Sequence, residues 1–466
     1  MSKIKKYENG LFIFHRDLRI VDNIGIIEAC KQCKNIYTCF IFTPEQVGKN
    51  NPYKSDNAVQ FMIESLEDLS NEISKHGGKL LLLYGNTTKI VNYLVSELDI
   101  NAIFFNRDYT PYAIKRDNDL QKMQTCVITE DYYLHKPGTI KNGQNGYYHK
   151  FTPYYTKALG VPVDLPVNIS FSKIFTEPNN KLKLDDIISL EYAMNNFTTK
   201  NQNILVSGSR NLGLQRIQSA LIHQEKYDNC RDNLVFETTL LSAYIKFGNI
   251  SIREIYHGIK DTYGINHGII RELIWRDFFI NLLYAYPNTL GHAYNPLFEK
   301  ILWKTNQEWL ELWKHGLTGF PVVDACMRQL NKTGYMHNRG RMIVAHFLIK
   351  TLLLDWRDGE KYFAQKLTDY DVANNYGNWL SIVGGGAYSM PYFRVMNPWI
   401  QSSKFDKEAI FCKRWIPELS DVSPKDIHKW NTMHKDPKYN NIKYPSPMVD
   451  YNEQKEKVLK LYHKYV

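Results

Sequence analysis

LFIFHRDLRIVDN (residues 11–23) begins as an apolar run rich in aromatic and branched side chains and turns polar after Phe14, the profile of a buried strand that ends in a loop. Four similar runs follow it: IYTCFIF (36–42), KLLLLYG (79–85), AIFFN (102–106) and CVITE (126–130). Between them, residues 57–76 and 87–98 place apolar side chains at helical spacing. Short strands alternating with helices predict an open, largely parallel sheet over residues 1–133, because parallel neighbours need a crossover and a helix supplies it. HRDLR then falls at the carboxyl end of the first strand, where ligands of such sheets usually lie; surface charges capping a loop explain it equally well. No GxGxxG follows that strand, so a dehydrogenase-type dinucleotide site is unsupported there.

Residues 134–206 carry KPG, FTP, VPVDLP and EPNN without clear periodicity and read as a long linker. Beyond them helical patterns dominate, with candidates at 209–223, 251–260, 267–286, 305–314, 320–333 and 336–355. The expected fold is α/β: an amino-terminal open parallel-sheet domain (1–133), a linker (134–206) and an all-helical carboxy-terminal domain (207–466).

The chain has 466 residues, 44% hydrophobic and 23% charged, which suits a globular protein with a large core rather than a disordered or fibrous one. Lys and Arg outnumber Asp and Glu by 58 to 48, an excess that attracts polyanions where it clusters. Between Arg328 and Arg357 six basic residues stand against one acid, Asp355, with aromatics interleaved, a composition suited to phosphate contact and base stacking, although a solvated helix face produces it more often. The apolar stretches 278–286 and 342–356 are too short or carry His346 and Lys350, so no membrane span is expected. The start lacks a secretory signal, and seven scattered cysteines do not form a disulfide framework; an intracellular protein, cytoplasmic or nuclear, is expected. CKQC (30–33) has no second pair or nearby histidine to complete a metal site, so no metal is expected.

In RELIWRDFF, Glu272, Trp275, Arg276 and Phe279 share one helix face, which suits either an amphipathic surface with a salt bridge or a planar ligand held by stacking and hydrogen bonds. In HNRGRMIVAHFL, Asn338, Arg341 and Met342 share another face, and Arg341 enters an apolar stretch where it needs an acidic partner. LTDYDVANNYGNW offers Asp369 and Asp371, and spacing does not choose between them. GGG (384–386) reads as a tight turn more readily than as a phosphate loop.

Together with FFNRDY, KFTPYY, TTLLSAYIKFGNIS, TGFPVVDACMRQL, DWRDGE, YFRVMNP and KYPSPMVDY, these fragments, in this order, resemble the cryptochrome/photolyase family over nearly the whole chain. The resemblance implies an antenna domain followed by a helical domain that holds FAD, with a second antenna chromophore, folate or deazaflavin, left open. It implies FAD contacts at Tyr227, Thr238, Thr239, Leu241, Ser242, Arg341, Asp369, Asp371 and Asn375, with Asp369 as the partner of Arg341 and Asn375 facing the reactive flavin nitrogen. Leu240 departs from the residue found in some branches of the family. Trp379, Trp356 and Trp303 match a tryptophan chain that carries electrons from the surface to the flavin, and Arg231, Arg276, Arg339 and Gln401 match DNA contacts.

Glu272, Trp275, Asn338 and Met342 match class I cyclobutane pyrimidine dimer photolyases; (6-4) photolyases would have histidine at the positions of Asn338 and Met342. Glu272, Asn375 and the three tryptophans are the expected catalytic set, and UV-damaged DNA bound by a monomer is the expected partner. Ser381 departs from a lesion-stacking tryptophan common in that class. A cryptochrome-type photoreceptor, (6-4) repair and a basic DNA-binding module without flavin are the alternatives; an end at KLYHKYV, without a long extension, favours repair.

Overall fold

The computed structural model describes residues 5–168, 175–178, 182, 184–386 and 395–465. Five strands, Tyr7–Phe14 (β1), Cys33–Phe42 (β2), Leu80–Tyr84 (β3), Ala102–Asn106 (β4) and Cys126–Thr129 (β5), form one sheet in the order β3-β2-β1-β4-β5. Every pairing is parallel, with Leu11 opposite both Tyr37 and Ile103. Leu11, Ile13, Cys39, Ile41, Leu81, Leu83, Ile103 and Phe105 pack into one buried cluster, while the intervening Phe12, Phe14, Phe40 and Phe104 are also buried. Burial on both faces explains why the strands read as continuous apolar runs instead of alternating ones.

Sheet order reverses between β1 and β4, and HRDLR begins where β1 ends. The motif is neither surface charge nor an open ligand loop, for Asp17 is 0% and Arg19 3% exposed. Asp17 accepts hydrogen bonds from the Asn106 side chain (2.5 Å) and the His15 amide (2.8 Å). Arg19 reaches Asp131 at 2.6 Å, and Arg253 joins Asp131 (2.7 Å) to Asp22 (2.9 Å). Arg19, Arg253, Asp22 and Asp131 keep their charges at this depth because they pair with one another, whereas Asp17 has hydrogen bonds alone and burial pushes its carboxyl up to about 6.

The chain divides into two compact units. The first comprises Met1–Asn201, Val206–Glu225 and Thr239–Pro287; the second Gln202–Leu205, Lys226–Thr238 and Asn288–Val466. The boundaries expected at 133/134 and 206/207 differ from this division because four helices beyond residue 207, Ser242–Phe247 among them, fall within the first unit. Helix Arg210–His223 lies on Asp56–Lys75 and Ile252–Tyr263, which in turn contacts Gly268–Ala285. The stretch expected as a linker also contains helices: Phe151–Leu159 packs on Gly268–Ala285, and Leu190–Phe197 on Asp56–Lys75.

In the second unit Gln307–His315, Pro321–Thr333, Asn338–Lys350, Trp356–Lys366, Val372–Val383 and Tyr451–Tyr462 surround a core that includes Trp313, Phe347, Leu348, Trp356 and Trp379. The helix expected over 336–355 stops at Lys350; Leu353 takes a left-handed φ of 59°, and Asp355 caps the next helix by accepting from the Arg357 amide. Gly384, with φ 98°, ends Val372–Val383, so GGG begins as a helix stop.

Candidate functional site

Helix Asn338–Lys350 starts at His337, whose ring accepts a hydrogen bond from the Arg339 amide. One turn in, Arg341 donates to Asp369 Oδ2 (2.8 Å) and to the Met336 carbonyl (2.8 Å). The structure therefore selects Asp369 as the acid that Arg341 requires. Burial opposes the guanidinium charge, and Asp369 more than offsets it, holding the arginine's pKa above its usual value. Asp369 Oδ1 is buried and, among the described residues, accepts no hydrogen bond. A buried carboxylate with a spare acceptor suits a ligand that presents an N–H group, so the pair fits the flavin assigned to it.

Asp371 caps Val372–Val383: its carboxylate accepts from the amide (3.1 Å) and side chain (2.8 Å) of Asn374. That cap places Asn375 one position further on, where its amide group donates to Glu360 Oε1 (2.9 Å) and the Glu360 carbonyl (3.1 Å). Burial pushes the Glu360 carboxyl up in pKa, against the hydrogen bonds from Asn375 and Tyr370. Glu360 thus fixes the amide orientation of Asn375, a positioning role absent from the sequence reading.

Trp379 and Trp356 are each 2% exposed, while Trp303 is half-buried against the same core. Trp379 meets Phe363 edge-on at 5.0 Å and Trp313 at 6.3 Å. A Cβ on Gly359 would come within 2.2 Å of Trp379, so only glycine lets Trp356–Lys366 pass this close to the indole. DWRDGE contained that glycine, but nothing in the spacing gave it a role.

Tyr227 lies beneath the Arg231 guanidinium, 5.9 Å from the ring centre. Thr238 Oγ1 lies 3.4 Å from the Tyr335 hydroxyl. In the first unit Thr239 Oγ1 accepts from the Leu241 amide (3.4 Å), and helix Ser242–Phe247 begins with no side-chain cap. Leu240 adopts a left-handed φ of 52°, so the departure noted in the sequence falls on a strained backbone position.

The expected DNA contacts are held in different ways. Arg339 pairs with Asp232 at 2.7 Å and lies 4.5 Å from the Phe405 ring centre; Asn338 is exposed, and Met342 and Gln401 are half-buried. In the first unit Glu272 is half-buried. Arg276 donates to the Tyr132 carbonyl (2.5 Å) and packs over Tyr133, with a side chain only 11% exposed. It turns inward, with Asp277 3.9 Å away, so the surface salt bridge that was one of the two readings of this helix face does not describe it. Trp275 stacks on Phe151 with ring centres 3.5 Å apart and 5° between planes, so one indole face is already covered. Phe151 belongs to KFTPYY, and its non-local pairing left no periodic signal.

His337 carries a pH dependence of its own. Burial lowers its pKa from 6.5 to about 4, with Asp232 opposing the shift. A depressed histidine pKa contributes stability that is full above the unfolded value and is lost as pH falls from about 6.5 towards 4, up to about 3 kcal/mol. His337→Asn retains a capping acceptor and removes the titration. Denaturant melts between pH 7 and 4 should show a shallower acid loss in the variant; identical slopes would reject the assignment.

Among the described residues no cluster of three His, Cys, Asp or Glu side chains is arranged to hold a metal ion, and no helix is long and apolar enough to cross a membrane. Two family models match the chain: DNA photolyase over residues 11–167 and the FAD binding domain of DNA photolyase over residues 269–464. A deoxyribodipyrimidine photo-lyase from Buchnera aphidicola is 35% identical, covering 97% of each chain. The crystal structure of an archaeal photolyase from Sulfolobus tokodaii with two FAD molecules superposes with a TM-score of 0.86 at 38% identity, covering 98% of this chain and 100% of that one. A bacterial class III photolyase from Agrobacterium tumefaciens gives 0.90 at 29% (100% and 99% covered), and a Synechocystis cryptochrome 0.89 at 27% (98% and 100%). The α/β sheet followed by a helical FAD-binding domain, and identity above 30% along nearly the full length, establish that this chain belongs to the DNA photolyase family.

Proposed function

We propose that the protein repairs cyclobutane pyrimidine dimers in DNA with light. The carrying observation is the Arg341–Asp369 pair, whose buried carboxylate keeps a spare oxygen while the guanidinium is half-buried, in the same unit as the oriented Asn375 and the enclosed Trp379. Bound FAD, reduced and excited by blue or near-ultraviolet light, supplies the electron that opens the cyclobutane ring and receives it back. In the second unit Arg341 and Asp369 would hold the cofactor, assisted by Tyr227, Thr238 and Asp371; in the first, Thr239, Leu241 and Ser242 offer hydroxyls and backbone amides suited to phosphate. Asn375, its amide group donating to Glu360, would offer its carbonyl oxygen to the cofactor. Trp303, Trp356 and Trp379 relay electrons inward.

For the lesion, Glu272 of the first unit supplies a carboxyl suited to a base edge; in the second unit Met342 supplies an apolar contact and Asn338 a polar one. Trp275, stacked on both Phe151 and Phe279, stiffens the helix that carries Glu272. Arg231 and Arg339 meet phosphate, Arg339 by exchanging Asp232 for it, and Gln401 supports that surface of the second unit; Arg276 braces the helix that carries Glu272 in the first. A damaged pair is poorly stacked, so flipping it out of a duplex requires less energy than flipping sound bases. The two FAD molecules of the Sulfolobus relative make a second FAD a further candidate, beside folate and deazaflavin, for the antenna.

A cryptochrome-type photoreceptor is the second reading, favoured by Ser381 in place of an aromatic wall and by the similarity to the Synechocystis protein. The test is illumination of reduced protein with dimer-containing or (6-4)-containing DNA, beside a dark control. Dimer loss in the light alone is expected, and Glu272→Ala should lower its yield about tenfold, the equivalent of about 1.4 kcal/mol of barrier, with FAD still bound. Loss of (6-4) products only would reassign the substrate, and loss of neither would favour the photoreceptor.

A further inference from the structure

From Tyr132 to Val163 the chain has no Asp or Glu, while Lys136, Lys141, Lys150 and Lys157 add four positive charges among aromatic residues. This is the stretch whose prolines suggested a linker. Lys136 is paired with Glu130 at 3.3 Å; among the described residues Lys141, Lys150 and Lys157 make no ion pair. Lys141 sits 3.4 Å from the centre of the Tyr147 ring, which meets Tyr284 and Tyr286 edge-on at 6.4 and 6.3 Å. Beside them opens a recess of about 510 Å³ lined by Tyr148, Pro153, Thr156, Lys157, Gly160 and Val161. It combines an aromatic wall, a proline and an exposed cation.

We infer that this face of the first unit binds single-stranded DNA, with one unpaired base in the recess against Tyr148 and its phosphate on Lys157. The inference extends the repair reading, naming a strand contact outside the lesion residues. A segment without acids whose Lys141, Lys150 and Lys157 make no ion pair favours a polyanion, and the half-buried rings of Tyr147 and Tyr148 favour one whose bases are unstacked, since a π-face attracts any base without reading sequence. A duplex keeps its bases stacked and cannot fill the recess. The same segment supplies Phe151 to Trp275, so the face continues from the helix that carries Glu272 within this unit.

Fluorescence anisotropy of the FAD-loaded protein in the dark tests this with undamaged labelled oligothymidylate, alone or paired with oligoadenylate. Tyr148→Ala should weaken single-strand binding about fivefold or more, with duplex binding changed by less than about twofold, and Tyr148→Phe should restore it. Lys157→Gln should weaken single-strand binding and flatten its salt slope by about 0.7. Unchanged single-strand affinity in Tyr148→Ala, or equal losses on both DNAs, would overturn the inference. FAD content and the thermal midpoint verify that each variant is folded. Dimer repair by the wild-type protein is scored separately: no repair beside the expected strand selectivity removes the repair reading and leaves this surface standing.

Discussion

Alanine at Arg253 is expected to lower the unfolding free energy by about 3–5 kcal/mol, read as a drop in the urea midpoint with the slope unchanged. Arg253 is the hinge of the buried ion cluster: its guanidinium reaches Asp22 Oδ2 at 2.9 Å, the Asp22 carbonyl at 2.7 Å and Asp131 Oδ1 at 2.7 Å. Arg19 holds the other oxygen of Asp131, and Ser251 donates to Asp22. A cluster of this kind gains little over apolar side chains of equal volume, because desolvation nearly cancels attraction. Removing one member is different, since it strands carboxylates where water cannot reach them. Burial alone would raise the Asp131 carboxyl, but Arg19 and Arg253 hold it below the usual carboxylate range. Its contribution is therefore present above the unfolded pKa of about 3.9 and is lost as pH falls. The deficit of Arg253→Ala should accordingly be larger at pH 7 than near pH 4. Arg253→Lys, which keeps charge without the planar fork, should fall between wild type and alanine. A loss below about 1 kcal/mol at pH 7, the range of a surface pair, would show that the cluster is not what joins these segments.

The same cluster shows where the sequence could be read and where it could not. The five strands were legible because both faces of a parallel sheet are buried, so each strand is apolar throughout. HRDLR was visible as charge at a strand end, but Asn106, which donates to Asp17, and Asp131, which pairs with Arg19, lie 89 and 112 residues away, and spacing carries no information about such pairings. Helix existence was legible in the second half, whereas the break after Lys350 was not, since the apolar run continues through Leu352, Leu353 and Leu354 while the backbone turns at Leu353. Domain division failed to follow composition for a related reason: Phe151–Leu159 hides among prolines and binds through Phe151 to Trp275, a contact across more than a hundred residues. At the candidate site, Arg341 announced its need for an acid because it interrupts an apolar face. Which acid answered came from the resemblance, and geometry bears it out. Glu360, His337 and Gly359 were silent because their work is to orient or make room for other residues.

Trp379→Phe should leave FAD content unchanged and slow photoreduction by an external thiol about tenfold or more, a change that requires only about 1.4 kcal/mol of added barrier. Phenylalanine keeps an aromatic ring in the slot formed by Phe363, Trp313 and Gly359, but it is much harder to oxidise than indole. Trp313 provides the control that separates electron relay from packing. It is 0% exposed, lies 6.3 Å from Trp379 and donates its indole N–H to the Val344 carbonyl at 3.1 Å, so by burial it belongs to the core as firmly as Trp379 does. If the indoles matter only as filling, Trp313→Phe and Trp379→Phe should perturb stability and photoreduction in proportion. If Trp379 is the first donor, Trp313→Phe lowers the melting temperature with photoreduction intact, whereas Trp379→Phe lowers it by a similar amount and slows photoreduction as well. Trp356→Phe and Trp303→Phe should also slow the reaction, since half-buried Trp303 is the member open to solvent and Trp356, at 2% exposure, cannot meet an external thiol itself. Equal rates in wild type and Trp379→Phe would remove this tryptophan from the relay, and the chain of three with it.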